Sequence, residues 1–180
     1  MIEPIELIDK YCEGNALLRQ VLYIHSKMVA EKALRIAEQH PEMKLDKGFI
    51  YEAAMLHDIG IVCTDAPGIH CHGTEPYICH GICGGKILRA EGLPLHARVA
   101  ERHTGTGLTA LTIRQQGLPL PIRDYCPETL EEQLICYADK FFSKTHPEIE
   151  KPYERARKSL AKFGEECLAV FDKWTLVFGQ

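Results

Sequence analysis

The sequence predicts an all-α protein, a helical bundle, from three observations. Apolar residues recur near a 3.6-residue period in several long stretches. Helix-starting and helix-stopping residues bracket those stretches. No run of alternating apolar and polar residues is long enough to read as a strand. The chain has 180 residues, 46% hydrophobic and 26% charged, which suits an ordinary globular protein with one substantial core.

Taken in order, residues 16–39 place Leu17, Val21, Ile24, Met28, Ala33 and Ile36 on a helical period, and Pro41 ends that helix. Asp46 stands as the N-cap of a helix that closes with His57-Asp58, with Gly60 as its stop. Residues 61–75, with Pro67, Gly68 and Gly73, read as a loop. Thr74 then caps a helix with Pro76 in its first turn and glycines at 81, 84 and 85. Glycine inside a helix costs roughly 1 kcal/mol relative to alanine, so close approach of another backbone or a ligand is expected there.

Pro94 opens the next helix, which ends at His103 before Gly105 and Gly107. A short helix is expected over 109–116. A proline-rich connector follows over 117–127, with Arg123 and Asp124 as an ion pair that pins it. Thr129 and Glu132 form the T-x-x-E capping box of a helix running to Lys144. The tail, 150–178, reads as one or two amphipathic helices ending in Trp174, Leu176 and Phe178. Its aromatics, if exposed, would support a homo-oligomer. The expected organisation is one domain over 1–180, with a core over 16–145 and a C-terminal helical extension.

Composition excludes several classes. A formal net charge of -4 gives no general electrostatic footprint for duplex nucleic acid. No run reaches the roughly 18 apolar residues of a membrane span, and no basic segment followed by an apolar stretch opens the chain. A cytoplasmic protein is expected. Eight cysteines in such a setting are expected to be reduced and mostly structural.

The chemistry lies in the histidines and two aspartates. His25 falls in mid-helix, His57-Asp58 closes a helix, His80 lies on the glycine-bearing helix and His103 ends another. Asp139 sits inside the apolar stretch "ICYADKFF", where a carboxylate is costly unless paired or metal-bound. At a helix terminus, His57 and Asp58 can reach one centre, and Asp58 can bridge two cations.

The order H…HD…H…H…D, with "HDIG" at 57–60, resembles the HD-domain superfamily of metal-dependent phosphohydrolases over about residues 16–145. The resemblance implies a bundle of five or more helices with a buried metal site. It implies that His25, His57, Asp58 and Asp139 hold one metal, that His80 and His103 hold a second, and that Asp58 bridges them as the central catalytic carboxylate. Imidazole and carboxylate suit Fe, Mn, Zn, Ni or Co. The expected substrate is a nucleotide or another small phosphorylated metabolite, hydrolysed by a metal-activated water. The same ligand set also resembles HD-type mixed-valence di-iron oxygenases, and a non-catalytic, metal-stabilised ligand-binding module is a third reading. Ile61 stands where cyclic-di-nucleotide phosphodiesterases carry lysine, and no downstream G-Y-P follows.

A phosphate ester calls for cationic neighbours. Arg102, Lys140 and Lys144 are the expected substrate contacts, the two lysines sharing a face at i, i+4. The loop motif His70-Cys71-His72 lacks the spacing of a zinc site. It is read as a lid, with His70 and His72 contacting substrate or donating a proton.

Overall fold

The computed structural model describes residues 3–179. Among them run nine α-helices: α1 (Pro4–Tyr11), α2 (Ala16–Gln39), α3 (Lys47–Leu56), α4 (His80–Ala90), α5 (Pro94–Arg102), α6 (Ala110–Gln116), α7 (Leu130–Asp139), α8 (Tyr153–Leu160) and α9 (Glu165–Phe178). Asn15 caps α2 through Leu18 N–H, Asp46 caps α3 through Phe49 N–H, and Thr109 caps α6 through Thr112 N–H. The fold is all-α, with its core where α2, α3, α5 and α7 converge. Leu22, Val29, Ile50, Leu56, Leu134 and Ile135 are buried there.

Glycines set the position of α4. A Cβ on Gly60 would lie 2.0 Å from the His80 carbonyl oxygen and 2.2 Å from Gly84 N. A Cβ on Gly81 would lie 2.7 Å from the Ala100 carbonyl oxygen. Helix α4 is therefore pressed between the turn that follows His57-Asp58 and helix α5. This close approach brings His80 to Asp58 on one side and His103 on the other.

Several elements differ from the sequence expectation. Helix α1 was not expected; it is eight residues long and buries only Pro4 and Ile8. Residues 61–75 are not a plain loop. A 3₁₀ turn spans Ile59–Cys63, and a two-residue ladder pairs β1 (Asp65–Ala66) with β2 (Cys71–His72). Two-residue strands are too short to leave an alternation in the sequence. Thr74 caps no helix, since a 3₁₀ turn over Tyr77–Cys79 leads into α4.

Helix α7 ends at Asp139 rather than Lys144, where Lys140 N–H closes back on the carbonyls of Tyr137 and Ala138. Thr129 does cap α7, but Glu132 accepts from Glu128 N–H at 2.7 Å instead of completing the reciprocal box. Arg123 and Asp124 do not pair. Asp124 accepts from Ala110 N–H at 2.7 Å, and Arg123 lies over the Tyr125 ring. The tail aromatics turn inward: Trp174 and Phe178 are buried, leaving Leu176 exposed. They therefore offer no surface to a second copy. No helix among the described residues is long and apolar enough to cross a membrane.

Candidate metal centre

Helix termini build the site. The last carbonyls of a helix have no intrahelical donor, and His57 and His103 stand just past α3 and α5. His57 Nδ1 is 2.6 Å from the Ala54 carbonyl oxygen and His103 Nδ1 is 2.8 Å from that of Ala100. His80 repeats the device at the junction of its 3₁₀ turn and α4, with Nδ1 2.7 Å from the Tyr77 carbonyl oxygen. A carbonyl only accepts, so each Nδ1 carries the proton and donates it. In its neutral form each ring then presents the lone pair of Nε2 inward, the tautomer that suits a metal ligand.

Those Nε2 atoms converge on Asp58. Its Oδ2 lies 3.0 Å from both His25 Nε2 and His57 Nε2. Its Oδ1 faces His103 Nε2 at 3.3 Å and His80 Nε2 at 3.6 Å. Asp139 Oδ1 is 3.0 Å from His25 Nε2 and 3.5 Å from His57 Nε2. Two donor groups result, His25, His57, Asp58 and Asp139 on one side and Asp58, His80 and His103 on the other. The two oxygens of Asp58 are divided between them.

Electrostatics mark the centre as a place for cations. Burial opposes ionisation of Asp58, but Lys144 and His57 outweigh it and hold the carboxyl well below the usual range. Burial likewise opposes ionisation of Asp139, and Lys140 and His25 outweigh it. Burial works against charging His57 too, yet Asp58 and Asp139 pull it up to about 9. Burial and the neighbouring His103 push His80 down to about 3, and burial lowers His103 as well. His25 Nε2, His57 Nε2 and both Asp58 oxygens are buried without a hydrogen bond of acceptable geometry. Orphaned buried acceptors of this kind are costly. A divalent cation satisfies them, and the imidazole–carboxylate set fits one.

Two lysines stand at the centre's edge. Lys144 Nζ is 2.6 Å from Asp58 Oδ2, and Lys140 Nζ is 2.7 Å from Asp139 Oδ2 and 2.6 Å from the His103 carbonyl oxygen. Both line a cavity of about 560 Å³ that opens onto His25, His80, His103 and Asp139. Tyr77, stacked on His80 with ring centroids 4.8 Å apart, lines it as well.

The other sequence candidates lie off this cavity. Arg102 directs its guanidinium to Glu128 and Glu132, at 3.0 and 3.2 Å. Glu132 is buried and Glu128 exposed, and the two carboxylates hold the guanidinium away from the cavity. His70 adopts a left-handed φ of 62°, and its carbonyl accepts from the Asn15 side chain. His72 is exposed on β2. Neither lines the cavity, so the structure does not bring these two histidines to it. The β1–β2 ladder holds the segment instead. Residues missing from the sequence reading include Tyr77, Lys151, Lys162 and Phe163, which line the cavity. Three of these come from the C-terminal segment, where no motif distinguishes a pocket lysine from a solvated one.

The HD domain family matches residues 22–143, two thirds of the chain, a span that contains all six centre residues. The chain belongs to the HD-domain family. Among individual relatives, this HD domain is 34% identical over 164 residues to an uncharacterized protein of Methanocaldococcus jannaschii, covering 89% of this chain and 86% of that one. It is 34% identical over 120 residues to the tRNA (cytidine(56)-2'-O)-methyltransferase of Picrophilus torridus, covering 66% of this chain. It is 29% identical over 179 residues to the protein of the same name in Thermoplasma volcanium, covering 98% of this chain. This HD domain spans only 30% and 47% of those two methyltransferases. No solved structure matches it.

Proposed function

We propose that this HD domain is a metal-dependent hydrolase of small phosphate esters. The observation that carries the reading is the joint one: a divided His/Asp donor set adjoins a cavity that Lys140 and Lys144 also line. His25, His57, Asp58 and Asp139 would hold one ion, and Asp58, His80 and His103 a second. When bound, divalent ions supply Lewis-acid polarisation of a phosphoryl group and an acidified water.

The chain's own residues do the rest. Lys144 and Lys140 hold ammonium groups where phosphoryl oxygens of an ester would sit, and their charge stabilises the phosphate as it gains negative charge. The carbonyls of Ala54, Tyr77 and Ala100 fix the three imidazoles so that none rotates during the reaction. Tyr77 covers one face of His80 and keeps water from it. The eight unpaired cysteines fit a protein working in a reducing cytoplasm.

The methyl transfer named for two relatives belongs to proteins of which the matched region makes up only 30% and 47%. We assign it to the length this chain does not cover. Their RNA-modifying name favours a nucleotide-type ester here.

The test is direct. Purified protein supplied with Mn, Fe, Co, Ni or Zn should hydrolyse p-nitrophenyl phosphate or bis-p-nitrophenyl phosphate, and His57→Ala and Asp58→Ala should each abolish turnover. Persistent turnover in both variants would sink the proposal. Turnover that requires iron and consumes O₂ would assign the chain to the oxygenases with the same ligands.

A further inference from the structure

The stretch that follows Asp139 lends the cavity Lys140, Phe142, Lys144 and Lys151. Hydrogen bonds hold this stretch in place. Ser143 Oγ accepts from His146 N–H at 3.3 Å, and the Phe141 carbonyl oxygen accepts from Lys151 N–H at 2.7 Å. Glu150 turns to helix α2, where it meets Lys32 Nζ at 2.6 Å and Arg35 Nη2 at 3.3 Å. Its neighbour Lys151 is thereby fixed half-buried in the cavity wall, where it feels the charges of Asp139, Lys140 and Lys144.

The three lysines differ in what balances them. Lys140 Nζ has Asp139 at 2.7 Å, and Lys144 Nζ has Asp58 at 2.6 Å. Among the described residues, Lys151 forms no ion pair. Burial lowers its pKa; Asp139 opposes this, and Lys140, Arg155 and Lys144 add to the lowering. The cluster thus keeps one ammonium without a counter-charge of its own, in the wall of an open cavity. A partly desolvated charge of this kind is costly until paired. An anion entering the cavity supplies the pair.

From this layout we infer that Lys151 completes a single anion site with Lys140 and Lys144, and that the substrate is a phosphate monoester rather than a diester. Two lysines suffice for either ester. A monoester group carries about -1.5 to -2 charge at pH 7 and three acceptor oxygens. A diester carries one negative charge, and a second substituent takes the place of one acceptor. The surplus charge of Lys151 and its additional ammonium match the monoester on both counts. Ile78, Leu118 and Phe163 offer apolar wall to the organic part. Lys144 and Lys151 lie beyond the matched residues 22–143, so the preference belongs to this chain and not to the matched region. The inference rests on the reading of this cavity as a phosphate-ester site and chooses between the two classes of ester.

The probes are p-nitrophenyl phosphate, a monoester, and bis-p-nitrophenyl phosphate, a diester with the same leaving group. Both are assayed on the protein as purified, with metal content measured, at about pH 8, where the monoester is a dianion. The wild type should show the higher kcat/KM for the monoester. Lys151→Met keeps the aliphatic stem and removes the charge. It should lower kcat/KM for the monoester by about tenfold, the worth of one charge-assisted contact, and leave that for the diester nearly unchanged. Lys151→Arg should restore most of the loss, and Lys151→Gln replaces Lys151→Met if the latter unfolds. A wild type that favours the diester, an undiminished monoester rate in the variant, or equal losses on both esters would each overturn the inference while keeping the hydrolase reading. Where neither ester is turned over, inorganic phosphate and dimethyl phosphate are compared by calorimetry. Tighter binding of phosphate that is lost in Lys151→Met would keep the anion site and remove the hydrolase reading. No such preference would overturn both.

Discussion

His80 and His103 meet Nε2 to Nε2 at 3.0 Å, while each commits its Nδ1–H to a backbone carbonyl. Burial keeps both rings neutral near pH 7. Two lone pairs thus face each other with no proton between them, an arrangement that a shared cation relieves. The His80–His103 pair faces Oδ1 of Asp58 at 3.6 and 3.3 Å, while His25 Nε2 and His57 Nε2 both lie 3.0 Å from its other oxygen, Oδ2. The first prediction follows from this division. Elemental analysis of wild-type protein should give two equivalents of metal per chain. His80→Ala and His103→Ala should each give one, and Asp58→Ala should give none. Full occupancy in His80→Ala would mean that the His80–His103 pair is not a ligand pair.

Metal should also stabilise the fold, because the donor groups come from α2, the ends of α3 and α5, the start of α4 and the end of α7. A ligand at about 100 times its Kd adds about 2.7 kcal/mol to folding stability. For a chain of this size, 1 kcal/mol corresponds to about 2–4 °C in Tm. Scanning calorimetry after chelation should therefore show Tm lowered by about 5–10 °C, with recovery on adding Mn or Zn. An unchanged Tm would mean that Lys140 and Lys144 already neutralise the centre as well as a cation does.

The six centre residues could be read from the sequence because each falls at a helix boundary or inside an apolar helix, where a polar side chain needs a reason. Asp139 in "ICYADKFF" is the clearest case. The capping residues Asp46 and Thr129 were legible for the same local reason. What could not be read depends on contacts distant in the chain. Arg102 looked free until α7 brought Glu132 against it. Lys151 and Lys162 resembled surface lysines until the C-terminal segment folded over the cavity. The 61–75 segment has its histidines on a ladder too short to leave a pattern.

The C-terminal helices carry their own pH dependence. Arg157 meets Asp172 through two nitrogens at 2.8 and 2.9 Å, and Tyr153 OH bonds the same carboxylate at 2.6 Å. Arg157 first, then Tyr153, lower the Asp172 pKa below its ordinary 3.8. A carboxyl with a depressed folded pKa stabilises the fold above its unfolded pKa and loses that contribution as pH falls through the folded value. Asp172→Asn should thus lower Tm slightly at pH 7, and the gap to wild type should close as pH drops below 3.8. The effect should be small, since both partners are more than a third exposed. A gap constant down to pH 3 would assign the loss to packing rather than charge.

The contact between the turn at Gly60 and helix α4 should be the least tolerant backbone position near the centre. A methyl group there would meet the His80 carbonyl oxygen at 2.0 Å and Gly84 N at 2.2 Å, both backbone atoms that cannot swing aside. Forcing extra volume into a packed interior costs about 1–3 kcal/mol when side chains can adjust, so Gly60→Ala should exceed the upper part of that range. Displacing α4 also moves His80 away from Asp58 and His103. Gly60→Ala should therefore lower Tm and lose one equivalent of metal, the same deficit expected of His80→Ala. Gly68→Ala is the control, because a Cβ there meets nothing within 4 Å and its φ is not left-handed. Denaturant unfolding of the two variants, with metal content measured on the folded fraction, checks both effects. Gly60→Ala with wild-type stability and full metal content would show that α4 can step back without disturbing the centre.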